Sequence, residues 1–273
     1  MTKSEECARA LLGLQSEQDW IGYLCANSGL PGPRANLELL AAFIRTSSPE
    51  LVIRLASLPP GESPPNTPQE FLLVCGTAAL GRLMLEQPDS DGGILLAQLR
   101  TSANDPRWRV REAVAIGLQT LGRGDYPRLM AVANDWIDGT HLDRRAVAAA
   151  VAEPDLLRRD CQVHYALGAL DRITMALSQT SRQVRRGDDS FRVLRQALAY
   201  CWSVVIVADP QIGSTRFERW VVSGDPDVQW LVAGNLRKAR LRRAAPRWVA
   251  EASDRLATRG SSPRRAEEDL DDR

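Results

Sequence analysis

Lysine and histidine are nearly missing from this 273-residue chain: Lys3 and Lys238 are the only lysines, His141 and His164 the only histidines. Two histidines cannot build a multi-histidine metal centre. Cys161 and His164 would share a helix face at i, i+3, but zinc needs a second pair, and no other Cys or His stands at ligand spacing. Neither a metal nor a cofactor is therefore expected. A Gly-x-Ser-x-Gly elbow for a serine nucleophile is absent. The glycines of residues 27–36 lack the Gly-Lys-Ser/Thr end of a phosphate loop and are broken by Pro31 and Pro33, which marks a turn between helices. Alternating β-branched stretches, the mark of strands, are missing as well. No apolar run approaches the roughly 20 residues that span a bilayer. The start, Met1-Thr2-Lys3-Ser4-Glu5-Glu6, is too acidic and polar for a secretory signal. The five cysteines are odd in number, far apart and set among apolar neighbours, which excludes a disulfide framework and makes them small core residues of a reducing compartment. A cytoplasmic protein without membrane contact is expected.

Arginine and tryptophan stand in place of what is scarce. Net charge is only +1, yet residues 105–247 hold 23 basic against 16 acidic side chains, while residues 1–104 hold 7 against 11. Nearly all of the positive charge is arginine, the residue suited to bidentate contacts with phosphate or carboxylate and also the one that a GC-rich coding sequence supplies. Tryptophan, at seven, outnumbers both Phe and Tyr at four each.

Capping residues and Pro or Gly stops recur throughout, and apolar residues keep helical spacing between them. The pattern predicts helices at about 4–13, 17–27, 33–46, 48–57, 68–86, 91–102, 106–122, 126–138, 141–152, 160–181, 189–207, 214–223, 226–238 and 244–257. Pairing them gives six or seven helical hairpins: an all-α chain, read as an α-solenoid that occupies 1–257 as one domain. The proline-rich stretch 58–68 reads as an extended surface loop and 182–189 as a polar turn. Residues 258–273, ending in an acidic run, have no apolar face to bury and read as a disordered tail.

Two segments echo each other. Asp105-Pro106 precedes a stripe of Val110, Ala113, Val114, Gly117, Leu118 and Leu121, and Asp225-Pro226 precedes Val228, Leu231, Val232 and Leu236. The Asp-Pro pairs lie 120 residues apart, but the stripes align best at 118. Three degenerate units of about 40 residues fit that interval.

Asp105-Pro106 followed by Val110-Arg111-Glu112-Ala113-Val114 resembles the inner half of a HEAT repeat, and His141 to Ala150 resembles another such helix. The resemblance is clearest over 105–240. It implies a curved solenoid whose concave wall binds another macromolecule, most directly a protein. One HEAT-like branch, the alkylpurine DNA glycosylases, binds DNA in a basic groove lined with tryptophans and uses a carboxylate to excise bases. Under that alternative, nucleic acid would lie along the arginine-rich region 105–247, and Asp135 and Asp138, beside Trp136, would be the candidate carboxylates.

The candidate binding residues are Arg107, Trp108, Arg111, Arg144, Arg145, Trp230, Arg237, Lys238 and Arg240. Trp108 and Trp230 both fall off the apolar seam of their own helices. Each either packs against a neighbouring repeat or faces a groove among arginines, where it would stack on bases or sugars. The densest basic run, 236–247, is either a solvated face at helix ends that meets the acidic tail of the same chain or an anchor for nucleic-acid phosphate or an acidic partner.

Overall fold

The structure is a computed structural model that describes residues 2–87 and 92–260. Among the described residues the chain is all-helical, with no strand. In order the helices are α1 (Lys3–Leu12), α2 (Glu17–Ala26), α3 (Leu37–Thr46), α4 (Pro49–Ala56), α5 (Pro68–Glu86), α6 (Gly92–Ala103), α7 (Trp108–Gly124), α8 (Tyr126–Trp136) and α9 (His141–Val151). A 3-10 turn at Pro154–Leu156 follows, then α10 (Asp160–Ser178), α11 (Arg182–Gly187), α12 (Asp189–Ala208), α13 (Pro210–Val221), α14 (Pro226–Leu236), α15 (Ala239–Ala244) and α16 (Pro246–Gly260). Contacts divide the chain into two compact units, Met1–Leu156 and Leu157–Arg273.

The first unit is built on α5. Thr67 caps it by accepting from the Glu70 main-chain N–H, and Pro68 fills the first turn, where no N–H is needed. From Glu70 to Gly81 every residue is buried, because α4 packs on one flank and α7 on another. Glycines set that closeness: a Cβ on Gly81 would stand 1.9 Å from the Gly117 carbonyl oxygen of α7, and one on Gly76 would stand 2.2 Å from the Ala56 main-chain nitrogen of α4. In turn α7 packs on α9.

All six apolar stripe residues of α7 are buried. Its start differs from the sequence expectation. Pro106 is not its first residue; Arg107 is the N-cap, without a side-chain cap, and the helix begins at Trp108. The Asp105 carboxylate is taken by Arg107 itself, through its main-chain N–H at 2.7 Å and its guanidinium Nε at 2.8 Å and Nη2 at 2.6 Å. Asp225, by contrast, caps α14 through the N–H groups of Asp227 and Val228, and Pro226 is the first helical residue. The helices thus start at Trp108 and Pro226, 118 residues apart, the interval that also aligns their apolar stripes.

The second unit stacks α10, α12 and α14 in succession. Here α12 has the length and mean hydropathy, 1.3, of a membrane span, a run the sequence scan did not single out. Phe191, Leu194, Leu198, Trp202 and Val205 of this helix are buried, and α10, α13, α14 and α15 pack around it. Buried Asn235 of α14 reaches into its backbone, accepting from the Ser203 N–H at 2.8 Å and donating to the Leu198 carbonyl at 2.9 Å. A Cβ on neighbouring Gly234 would meet the Ala199 Cβ at 2.8 Å, which shows how closely the two helices approach.

Several local expectations change. Residues 182–187 and 239–244 are helical, each for six residues, where a turn and a solvated run are expected. The 58–68 connection is a chain of turns tied down at its far end, with Ser63 fully buried. Asn66 there adopts a positive φ of 58° and accepts from the Gly32 N–H at 3.3 Å. Helix α16 reaches Gly260, so 258–260 are not tail; residues 261–273 lie outside the described residues. Cys75 and Cys201 are core residues as expected, but Cys161 is exposed.

Candidate functional site

The expected site residues of the first unit are spent mostly on the fold. Arg107 is buried, and beyond Asp105 its Nη1 donates to the Ser63 carbonyl at 2.6 Å and hydroxyl at 2.8 Å. Its guanidinium is held charged by that carboxylate hydrogen bond, which outweighs burial. Arg111 closes its own turn, donating from Nη1 to the carbonyls of Asp105 at 2.6 Å and Pro106 at 2.8 Å. Arg145, also buried, donates to the Arg111 carbonyl at 2.8 Å and pairs with Glu112, stitching α9 to α7. Arg144 donates from Nε to the Ile137 carbonyl at 2.8 Å. Burial lowers the proton affinity of Arg111 and Arg144, and Arg145 beside Arg111 adds to it there. Arg107 and Arg145 are thus buried and bonded within the fold, so little of either guanidinium reaches the surface.

Trp108 is 51% exposed, and the Arg109 guanidinium lies 4.6 Å from its ring centre. Arg109 is itself anchored, from Nη1 to Glu70 at 3.2 Å and from Nη2 to the Gly32 carbonyl at 2.7 Å. One face of the indole is therefore covered by a fixed cation. Trp136 is fully buried, with Arg100 5.7 Å from its ring centre, which removes it as a stacking platform.

A groove of about 570 Å³ runs between α6 and α9, lined by Arg100, Asn104, Thr140 and Asp143 among others. Arg100 bridges the exposed Asp135 at 2.9 Å and the buried Asp143 at 3.2 Å. Asp143 also accepts from the Asn104 amide at 2.8 Å and the Thr140 N–H at 3.1 Å. Asp135 is thus a charge partner of Arg100, and Asp138 is exposed close enough to Arg144 to act on its charge. Asp143 is not among the expected site residues; its legible signal is the capping box Thr140-x-x-Asp143. These groups satisfy one another across two helices, an arrangement that holds α6 against α9.

The second unit differs. Arg237 ends α14 and Lys238 caps α15. The exposed Tyr200 of α12 has the Arg240 guanidinium 4.2 Å and the Lys238 ammonium 5.3 Å from its ring centre. Among the described residues no carboxylate lies within ion-pair reach of Arg237, Lys238, Arg240, Arg242, Arg243 or Arg247. Helix ends explain part of this, since cations near the last carbonyls of α14 offset its dipole, and Arg242 Nε donates to the Leu236 carbonyl at 3.3 Å.

Trp230 lies on α14 seven residues before Arg237, on the same helical stripe, and is 41% exposed. The guanidinium of Arg195 lies 4.4 Å from its ring centre and pairs with Asp227. Arg185 joins the same cluster, 2.7 Å from Asp225 and 3.0 Å from Asp227. Neither Trp108 nor Trp230 is buried between helices. Tyr200 and Arg195, which complete the arrangement, carried no sequence signal, since only the packing of α12 on α14 brings them to this face.

Comparison with protein-family models, with curated proteins and with solved structures found no match to this chain.

Proposed function

We propose that the chain is a non-enzymatic helical-repeat scaffold of HEAT type, an α-solenoid that recognises a macromolecular partner, most directly a protein. Alternate helices stack in each unit, α5 on α7 on α9 and α10 on α12 on α14, as repeat folds require. Side chains knit successive helices: Arg145 bonds the main chain of α7, and Asn235 bonds that of α12. The observation that carries the proposal is how charge is used. Polar groups of the α6–α9 groove pair with each other, while a block of cations in the second unit has no carboxylate partner among the described residues. Chemistry on a substrate needs a free acid, base or nucleophile in a pocket; recognition needs exposed, unpaired charge and aromatic surface.

DNA binding of the alkylpurine glycosylase type is favoured by one feature, the half-exposed Trp108 and Trp230, each beside an arginine. Both readings meet in one experiment. Purified chain is incubated with alkylated duplex DNA to measure base release, and a partner captured from lysate is reconstituted from purified components. A stoichiometric protein complex without base release is expected. Base release abolished by Asp135→Asn or Asp138→Asn would replace the scaffold by a glycosylase.

A further inference from the structure

We infer that the corner of the second unit carrying Tyr200, Arg237, Lys238, Arg240 and Arg243 docks an acidic peptide segment of a protein partner. The inference rests on the scaffold function proposed above and gives it a surface and a partner chemistry.

Part of the arginine in this protein is committed to carboxylates. Arg100, Arg107, Arg109, Arg145, Arg185 and Arg195 each hold at least one within the fold. The run 237–247 is set apart by density, with six cations in eleven residues and no carboxylate partner among the described residues. Crowding like charges raises the energy of the free protein, and an anionic ligand relieves it. The short helix α15 sets the geometry by holding Arg240 against the Tyr200 ring while leaving Arg242 and Arg243 exposed. Guanidinium forks bind carboxylates through two parallel N–H bonds, and a ring under the fork restrains its orientation.

Two observations favour a peptide over a nucleic acid. Base stacking competes for aromatic faces, and cations already stand over these rings, Arg240 and Lys238 over Tyr200 and Arg195 over Trp230. A duplex also presents phosphates along two extended rails. The dense cluster of cations without a carboxylate partner among the described residues spans only the short α14–α15–α16 corner, and Arg107 and Arg145 of the first unit are buried.

The test uses the full chain and a fluorescein-labelled peptide of Glu, Asp and Leu, read by anisotropy at physiological ionic strength. Its Gln/Asn counterpart and a labelled DNA duplex are titrated in parallel. The acidic peptide is expected to bind and the amide peptide not to. The triple variant Arg237→Gln, Arg240→Gln, Arg243→Gln is expected to weaken binding about tenfold or more, a loss of about 1.4 kcal/mol. Arg186→Gln with Arg216→Gln, exposed arginines elsewhere in the unit, is expected to leave binding unchanged. Lysine at the three positions should restore part of the affinity, which a folding defect would not allow.

Equal loss in the control variant would reduce the effect to net charge and overturn the inference. Tighter duplex binding, lost in the triple variant, would assign the corner to nucleic acid instead. Peptide binding seen only after Glu267, Glu268, Asp269, Asp271 and Asp272 are changed to their amides would make the chain's own C-terminus the occupant, and also overturn it. A reconstituted protein complex that survives the triple variant undiminished would end this inference while leaving the scaffold function standing.

Discussion

Arg107 grips the carboxylate of Asp105, two residues before it, at 2.8 Å from Nε and 2.6 Å from Nη2. That pairing takes the aspartate away from the end of α7 and delays the helix by two residues, whereas Asp225, with no arginine two residues on, caps α14 directly. One dipeptide, Asp-Pro, therefore does different work at its two occurrences.

Replacing Asp105 by Ala leaves the buried Arg107 cation without its carboxylate. The expected loss is about 3–5 kcal/mol, the range for breaking one side of a buried pair. Asp225→Ala removes a cap, about 1 kcal/mol, together with one of two carboxylates facing Arg185, which keeps Asp227. Urea unfolding of both variants checks the order, and a larger loss for Asp225→Ala would contradict it.

Gly81→Ala forces a methyl group against the Gly117 carbonyl oxygen, at 1.9 Å before any shift, so α5 and α7 must part. A loss of about 1–3 kcal/mol or more is expected in thermal melts. Gly168, inside α10 with nothing within 4 Å of an added Cβ, is the matched control. There alanine is expected to stabilise by about 0.5–1 kcal/mol, because glycine is the poorer helix former.

Asn235→Leu keeps the side-chain size but removes the bonds from Asn235 to the Ser203 N–H and the Leu198 carbonyl in the core of the second unit. Losing such bonds costs about 0.5–1.5 kcal/mol each. A drop in melting temperature is expected, with faster amide exchange at Ser203 read by NMR or mass spectrometry.

Burial pushes the Cys75 thiol well up, and Cys25 nearby adds to the rise. Below the ordinary thiol value of about 8.5 both folded and unfolded chains keep the proton, and stability does not depend on this group. Above it the unfolded chain ionises while folded Cys75 stays a thiol. The folded state then binds more protons, and stability falls as pH rises. Urea midpoints measured from neutral to alkaline pH are expected to fall less steeply for Cys75→Ala, and native Cys75 should resist alkylation at a pH where exposed Cys161 reacts.

Apolar spacing alone located most of the helices, because the stripe from Val110 to Leu121 or from Val228 to Leu236 must be buried whatever lies beside it. The same spacing gave the 118-residue interval between α7 and α14. Short helices escaped it: α11 and α15 have six residues each, too few for a period to appear. What each arginine does was settled only by tertiary structure. Arg107, Arg145 and Arg240 are alike in sequence, and composition put all three on a binding surface. Packing leaves carboxylate or carbonyl acceptors within reach of the first two and, among the described residues, a tyrosine ring within reach of the third. A guanidinium is committed when the fold surrounds it with acceptors and available when it does not; beside the local Asp105, acceptors come from residues some 30 to 45 positions away, as with Ser63 for Arg107 and Arg111 for Arg145.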